Sequence, residues 1–508
     1  MTLKWNKQYT DAVLVALLVI LPIVLAGEPF GDDYYRLRDG ETYLFDKGTV
    51  TSWRYCGRYF ALWILQLLAG DKFTFNLFPL PQVLGIIIYS LSLSWIVQKF
   101  GIKDRVISAL IIISSLTVPF MYQNYMYQYD ALSMCISISM LSIIPLILIP
   151  ENKSQWIKFS IIKILLIISA LLFYQTAIPS YFIFSVFLYL YSRQNNKFKI
   201  LCWNNLLLII AYVIMYIILS LTVDNISYLQ NNSKISWEFL PYKILNKPLD
   251  IIELMLAEYY AVSFNWIAPV ILLLLAFIIM YRKVKIDERL QRISNLEKYI
   301  SILSVPIIAY ITVVFISLPD VTIFKHRMLF SLSSAYFCIL FIIFYFCINK
   351  AEFLRKIVIT LVIIMLLPSI TSLSIAMKAY SMQQNYERML ITSIYKGLGH
   401  IGLSKDNGKT IILVCDKKWY APYTKKLLER KPYMQDWVYA ASNHSPAHFG
   451  NYMNFYGINA RTALPSSLSD SEEALIIENK AEKVYSHYLY DIYQTVHKGE
   501  EKILLCVK

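Results

Sequence analysis

Long uninterrupted runs of apolar residues set the strongest limit on how this chain can fold. Three of them cover 77–97, 206–223 and 324–348, each close to the roughly 20 residues that a helix needs to cross a bilayer. Hydrophobic residues make up 57% of the chain and charged residues 16%, against about 45–50% and about 25% in soluble domains. These features exclude a soluble enzyme and predict a multi-pass membrane protein.

The net charge of +14 has its simplest explanation in basic loops on the cytoplasmic side of a membrane. The sequence contains no nucleic-acid-binding motif, so nucleic acid is excluded as a partner. The seven cysteines include no Cys-x-x-Cys pair, and four of them lie in or beside apolar runs. We therefore predict no metal site and no cofactor.

Eleven apolar segments predict eleven spans, with the N-terminus in the cytoplasm and the C-terminus outside. They are 10–26, 77–98, 106–121, 129–149, 159–173, 178–192, 200–222, 261–281, 299–318, 326–348 and 356–377. The cytoplasmic connections then carry 19 Lys and Arg residues, and the short outer turns 122–128 and 174–177 carry none, as the positive-inside rule requires.

The first segment is also compatible with a signal peptide, because Lys4 and Lys7 precede it and small residues end it. We predict a retained helix, since the residues after it have functional character and need to be held at the membrane surface.

The segment 54–70 has an apolar part of only about ten residues, which is too short to span. Counting it as a span would also place the basic loop 99–105 outside. We predict a helix that lies in the interface or re-enters it, with Arg54 and Arg58 four residues apart on one face.

The fold class is mainly α: a polytopic bundle over 1–380, with an outer first loop at 27–76, followed by a small outer α/β domain at 381–508. In that domain the short apolar runs 410–415, 474–477 and 503–507 predict strands, and 381–398, 417–431 and 478–494 predict helices.

Two carboxylates, Asp32 and Asp33, follow the first helix directly. A carboxylate at the outer membrane boundary can act as a general base on a hydroxyl, and adjacent side chains point apart, so one of the two is the candidate. The alternatives are a solvated helix exit, or an N-cap with acidic residues in a first turn.

Basic residues in two outer segments are candidates for binding phosphate. Arg54 and Arg58 form one possible clamp, with arginines that anchor an interfacial helix as the alternative. Lys325, His326 and Arg327 lie in a short outer turn, as an exception to the charge rule that invites a functional explanation, although headgroup anchoring also fits.

Amide and aromatic side chains, the usual combination that holds a sugar, are concentrated in two outer turns. An aromatic belt at the interface is the alternative for the tyrosines. The candidate sugar-binding residues are Gln123, Asn124, Gln128, Asp130, Tyr174 and Gln175.

Taken in order, the acidic element 31–36, Gly57-Arg58, Tyr127-Gln-Tyr-Asp130, Tyr174-Gln175 and a polar C-terminal region resemble the Gtr-type serotype-converting O-antigen glucosyltransferases. The resemblance covers about 1–380 and implies an inner-membrane enzyme with the C-type glycosyltransferase fold. It implies that glucose passes from undecaprenyl-phosphate-glucose to a lipid-linked O-antigen (lipopolysaccharide) repeat unit at the periplasmic face.

The resemblance further implies that Asp32 or Asp33 is the base of an inverting single displacement. It also implies that the carrier phosphate is held by basic residues, namely Arg36, Arg54, Arg58, Lys325, His326 and Arg327. Membrane lipid, a donor-synthesising glucosyltransferase and a flippase are the implied partners.

Two other functions remain open from the residues alone. A transporter or flippase for polyprenyl-linked sugars would be expected to carry charges within its spans. An O-antigen polymerase would be expected to carry its arginines in one large outer loop, whereas the stretch 223–260 contains none.

Overall fold

The computed structural model describes residues 6–31, 33–39, 57–71, 75–150, 152–191, 196–222, 236–260, 267–286, 295–319, 326–347, 352–402, 410–415, 420–440, 452–456, 458, 482–497 and 500–507. The chain divides into two compact units. The helical unit comprises Met1–Leu25 and Thr42–Leu373, and the C-terminal unit comprises Ala26–Glu41 and Ser374–Lys508.

Each of the eleven segments predicted to span the membrane contains a helix among the described residues. These helices are α1 (Lys7–Ala26), α4 (Leu80–Lys99), α5 (Arg105–Leu116) with α6 (Pro119–Met126), α7 (Ala131–Ile143), α8 (Lys153–Phe173), α9 (Ile178–Tyr191), α10 (Lys197–Thr222), α13 (Ile267–Ile286), α14 (Asn295–Ser317), α15 (Leu332–Cys347) and α16 (Glu352–His400). Other helices are α2 (Asp33–Asp39), α3 (Tyr59–Ala69), α11 (Leu240–Leu245), α12 (Lys247–Tyr260) and α17 (Pro422–Arg430).

By length and hydropathy, 6 helices among the described residues can cross a membrane, or 7 if α5 and α6 together form one span. Several shorter apolar helices, including α7 and α15, accompany them. The mainly helical membrane class is thus confirmed, and the number of eleven spans and their orientation stay predictions.

A bend of 68° separates α5 from α6. Val118 is extended (φ −60°, ψ 125°), as expected for a residue before a proline, and Pro119 begins α6, where its missing N–H costs no hydrogen bond. Every residue from Phe120 to Leu132 is buried. The predicted turn 122–128 is therefore wrong in part, because the chain is helical as far as Met126 and the segment is buried inside the helical unit. Its location on the outer side stays a prediction.

The predicted helix from Arg54 to Gly70 is also wrong at its beginning. Gly57 has φ +70°, the left-handed conformation that favours glycine, and α3 starts only at Tyr59. Arg58 therefore precedes the helix and lies on none of its faces. Arg54 lies outside the described residues. The 11 residues of α3 are too few to cross a bilayer.

Four aromatic side chains of the helical unit pack against one another. Phe100, Phe187, Tyr191 and Phe341 meet one another with ring centroids 4.8–6.2 Å apart, mostly edge to face. Such pairs add to the energy of burial alone.

The C-terminal unit contains a four-stranded mixed sheet in the order β1-β4-β3-β2. Its strands are β1 (Thr410–Cys415), β2 (Glu482–Ser486), β3 (Tyr490–His497) and β4 (Glu500–Val507). β1 is parallel to β4, and the other pairs are antiparallel. The predicted strands at 410–415 and 503–507 are confirmed, whereas 474–477 lies outside the described residues.

The helix predicted at 478–494 is wrong, because this part of the chain forms β2 and most of β3. Tyr490 and Ile492 are fully buried, two residues apart on one face of β3. The stretch is rich in tyrosine, valine and isoleucine, which favour strands over helices.

Candidate functional site

Arg58 lies between a buried carboxylate and an aromatic ring of the helical unit. Its Nη1 is 4.0 Å from Oδ2 of Asp130, and its Cζ is 4.4 Å from the centre of the Tyr174 ring. Asp130 and Tyr174 are almost completely buried, and 19% of the Arg58 side chain is exposed. The guanidinium is thus fixed inside the unit, which does not fit an arginine that merely anchors an interfacial helix.

Gln175 forms a hydrogen bond to the backbone of the residue that precedes Arg58. Its Nε2 donates a hydrogen bond to the carbonyl oxygen of Gly57 at 3.3 Å. Of the two residues predicted to bind sugar in this segment, Gln175 therefore positions Arg58, and Tyr174 supplies the ring against which Arg58 packs.

Arg327 contacts the segment that contains most of the predicted sugar-binding residues. Its backbone N–H donates to Oε1 of Gln123 at 2.8 Å, and its Cζ is 5.0 Å from the centre of the Tyr127 ring. The two arginines therefore contact one buried segment, 123–130, Arg327 through Gln123 and Tyr127 and Arg58 through Asp130.

Two amides that the sequence did not single out hold the same segment. Nδ2 of Asn76 donates to Oε1 of Gln128 at 2.7 Å, and Nε2 of Gln82 donates to the carbonyl oxygen of Tyr127 at 3.2 Å. Gln82 lies in the apolar helix α4 and is fully buried. A fully buried amide in such a helix is a signal in itself, because a buried polar group needs a partner.

Two buried carbonyl oxygens of this region accept no hydrogen bond from the described residues: Oε1 of Gln82 and Oδ1 of Asn124. Their orientation is fixed, because the Gln82 amide nitrogen faces the Tyr127 carbonyl and the Asn124 amide nitrogen faces that of Phe120 at 3.2 Å. Both oxygens can therefore accept hydrogen bonds from hydroxyl groups.

The arrangement combines two guanidinium groups with buried acceptors and tyrosine rings. Planar guanidinium groups bind phosphate oxygens through charge-assisted hydrogen bonds, and stacking on a ring restricts their orientation. Amide oxygens and ring faces suit a polyhydroxylated ligand. This part of the helical unit is chemically suited to a sugar phosphate.

Asp33 begins α2 in the C-terminal unit and is fully buried. Its Oδ2 accepts a hydrogen bond from the backbone N–H of Phe30 at 3.0 Å, and its Oδ1 is 3.9 Å from Nη1 of Arg36. The alternative of a solvated helix exit is therefore wrong for Asp33, whereas the alternative of an acidic residue in the first turn of a helix is confirmed. Arg36, a predicted phosphate ligand, lies beside this carboxylate and is also buried.

The helix α2 packs within the C-terminal unit through Tyr34. Its hydroxyl donates to Oε1 of Gln384, and its ring contacts those of Tyr452 and Phe455. Burial raises the pKa of the Tyr34 hydroxyl well above its usual value, with further contributions from nearby groups including Glu387. The hydroxyl therefore stays protonated, as its hydrogen bond requires.

Some predicted site residues lie outside the described residues. They are Asp32, Arg54 and Lys325, together with the side chain of His326, whose backbone begins a 3₁₀ turn at His326–Met328. Their predicted roles stay predictions.

A comparison with protein families identifies the chain. The model of the family described as glucosyl transferase GtrII matches residues 39–334, more than half of the sequence. This chain belongs to the GtrII glucosyl transferase family. The match contains Arg58, the segment 123–130, Tyr174 and Arg327, and it begins after Asp33 and Arg36. Membership in the GtrII family confirms the resemblance to Gtr-type glucosyltransferases and supports a glycosyltransferase.

A relative of this GtrII protein occurs in Salmonella phage P22, described as an uncharacterized 55.3 kDa protein in the gtrB 5′ region. The two are 39% identical over 106 residues, which is 21% of each chain. The match thus spans about a fifth of the relative's length.

Proposed function

We propose that this GtrII protein transfers glucose from undecaprenyl-phosphate-glucose to a lipid-linked O-antigen repeat unit at the periplasmic face of the bacterial inner membrane. The observation that carries the proposal is the pair of arginines, Arg58 and Arg327, on one buried segment of amides and tyrosines in a glucosyl transferase family.

In the proposed reaction Arg58 and Arg327 bind the phosphate of the donor. The bond between the anomeric carbon and the phosphate oxygen breaks, and its electron pair stays on the phosphate. Two guanidinium groups stabilise the charge that develops there, so the leaving group needs no strong general acid. The oxygens of Gln82 and Asn124 accept hydrogen bonds from hydroxyl groups of the sugar.

The acceptor hydroxyl forms the new bond to the anomeric carbon and loses its proton to a carboxylate. From the resemblance to Gtr-type enzymes we assign this role to Asp33 or Asp32, as a general base in a single displacement with inversion. Arg36 is a positioning residue for Asp33 in this proposal. The donor phosphate is neutralised by arginines, and we expect transfer to continue in chelator; loss of activity that Mg²⁺ or Mn²⁺ restores would contradict this.

The test is transfer of radiolabelled glucose from undecaprenyl-phosphate-glucose to O-antigen by the purified, reconstituted protein. Asp33→Asn or Asp32→Asn should abolish transfer. Arg58→Lys keeps the charge but loses the planar group beside Tyr174, and we expect about a tenfold loss or more per folded protein.

Arg105→Lys is the matched control, because its pair with Asp11 is exposed (53% of the Arg105 side chain), and it should transfer normally. Full activity in both aspartate variants would overturn the assignment of the base. If folded protein transfers no label to O-antigen, the assignment of undecaprenyl-phosphate-glucose as the donor is overturned. If the label crosses the membrane without transfer to O-antigen, a transporter is favoured.

A further inference from the structure

A lysine is buried in the middle of α8. Lys163 is 0% exposed, and its Nζ donates to Oδ1 of Asn204 at 2.8 Å and to the carbonyl oxygen of Pro145 at 3.4 Å. It also lies 4.5 Å from the centre of the Trp203 ring. The predicted span began at 159 and placed this lysine near one end, but α8 begins at Lys153, so Lys163 lies ten residues from either end.

A second lysine converges on the same turn. Nζ of Lys99 donates to the carbonyl oxygen of Leu146, the neighbour of Pro145 in the 3₁₀ turn Ile144–Leu146 that follows α7. Carbonyl and amide oxygens are neutral, and no carboxylate among the described residues forms an ion pair with either lysine. Lys99 is exposed, but the charged form of the buried Lys163 is costly in an apolar setting without a counter-charge.

Tryptophan rings lie beside these lysines and beside a further lysine. Trp203 meets Trp156 edge to face at 4.9 Å, and Nζ of Lys199 lies 4.8 Å from the Trp156 ring. Nζ of Lys99 lies 4.7 Å from the ring of Trp95. We call these residues the lysine–tryptophan cluster: Trp95, Lys99, Trp156, Lys163, Lys199 and Trp203.

Capping of a helix end explains only part of this cluster. Cations favour the C-terminal end of a helix, and Lys99 and Lys163 occupy that position after α7. This role does not involve Lys199, and it leaves the net charge of the cluster uncompensated. An anion bound against the exposed lysines would compensate it.

We propose that the lysine–tryptophan cluster binds the phosphate group of an anionic phospholipid. Lys99 and Lys199 are exposed, and each can donate charge-assisted hydrogen bonds to phosphate oxygens. A bound anion would also favour the protonated, charged form of the buried Lys163. Basic pockets between membrane helices bind such headgroups, and tryptophans suit their depth. Lys99 and Lys199 also belong to connections with a predicted cytoplasmic location. The proposal does not depend on the proposed function.

The experiment uses the purified, delipidated full-length protein in a neutral detergent. Phosphatidylglycerol should raise its thermal midpoint more than phosphatidylcholine does, and native mass spectrometry should show bound phosphatidylglycerol. The double variant Lys99→Gln/Lys199→Gln should weaken phosphatidylglycerol binding by about tenfold or more. Lys163→Met should weaken it as well.

Lys158→Gln is the matched control, because this exposed lysine lies on the same helix outside the cluster, and binding should be unchanged. Equal responses to the two lipids, or unchanged binding in the double variant, would overturn the proposal. So would inorganic phosphate that protects as well as the lipid at the same concentration, since the ligand would then be a free anion. If Lys163→Met fails to fold, the double variant still decides.

Discussion

At the scale of single residues, the two polar atoms of the Gln82 amide have different surroundings. Its nitrogen donates to the Tyr127 carbonyl, while its oxygen is buried without a donor among the described residues. A buried acceptor without a partner costs about 1–3 kcal/mol, and a ligand that supplies a hydroxyl would remove that cost. Gln82 is thus a candidate determinant of which sugar is accepted.

We predict that Gln82→Met loses discrimination between sugar donors. The native protein should use at least one deoxyglucosyl donor about tenfold to a hundredfold less well than the glucosyl donor, because the missing hydroxyl leaves the Gln82 oxygen unpaired. In the Met variant this ratio should approach one. The measurement is the rate of transfer from each donor, normalised to folded protein.

Gln98→Met is the control for this prediction, because Gln98 lies on the same helix and bonds to Asn6 and Ser94. Its donor ratio should equal that of the native protein. A Gln82→Met protein that keeps the native ratio for every deoxy donor would show that the amide serves only to hold Tyr127.

The individual residues of the site differ in how far the sequence could reveal them. Arg58 and Arg327 could be predicted, because arginine in an apolar chain is conspicuous, and the structure brings both to one segment. Their pairing with Gln123 and Gln175 could not be predicted, because the amides of these residues form hydrogen bonds to backbone atoms that lie 204 and 118 residues away in the chain. Long-range contacts of this kind leave no local pattern.

At the scale of elements, hydrophobic runs predicted where helices lie better than where they break. Each of the eleven apolar segments contains a helix among the described residues, because a helix satisfies its own backbone in an apolar setting. The break between α5 and α6 depends on Val118-Pro119, and the start of α3 depends on Gly57. A hydrophobicity pattern averages over such single positions, although a proline is present at the break and a glycine just before the start of α3.

The glycines at the two ends of α3 provide a matched pair of substitutions. Gly57 has φ +70° and Gly70 has φ +64°, so alanine should cost about 1–2 kcal/mol of backbone strain at either position. A Cβ at Gly57 would also lie 2.6 Å from Cδ1 of Leu219, whereas nothing lies within 4 Å at Gly70. The two variants therefore share the strain and differ in their surroundings.

We predict that Gly57→Ala lowers glucosyl transfer strongly and that Gly70→Ala does not. The backbone at Gly57 is bonded to Gln175 and leads directly into Arg58, so a shift there moves the guanidinium. Thermal midpoints should fall in both variants. The measurements are glucosyl transfer per folded protein and the thermal midpoint of each variant. Equal transfer in the two variants would contradict the prediction, because it would show that the position of Arg58 does not depend on the conformation of Gly57.

At the scale of the whole molecule, the division of the chain does not follow the order of the sequence. Ala26–Glu41, which includes Asp33, belongs to the same unit as Ser374–Lys508, although more than 300 residues separate them. Tyr34 bonds to Gln384, and Glu28 pairs with Arg388. A boundary read from composition cannot reveal such a division, because composition changes only once, near residue 380.

The orientation of the chain in the membrane depends on whether α3 spans it. If α3 does not span, Asp71 lies outside and Gly101 lies in the cytoplasm, followed by the basic residues Lys103 and Arg105. If α3 spans, both positions are reversed. One pair of positions on either side of α4 therefore decides the parity of every later segment.

We predict that alkaline phosphatase, which is active only outside, is active when fused after Asp71 and inactive when fused after Gly101. Green fluorescent protein, which is fluorescent only inside, should give the opposite result. Eleven spans also predict phosphatase activity in a fusion after Lys508, because an odd number places the termini on opposite sides. Reversal at Asp71 and Gly101 would make α3 a span, and with it the loop that begins at Gly101 would become an outer loop that breaks the charge rule.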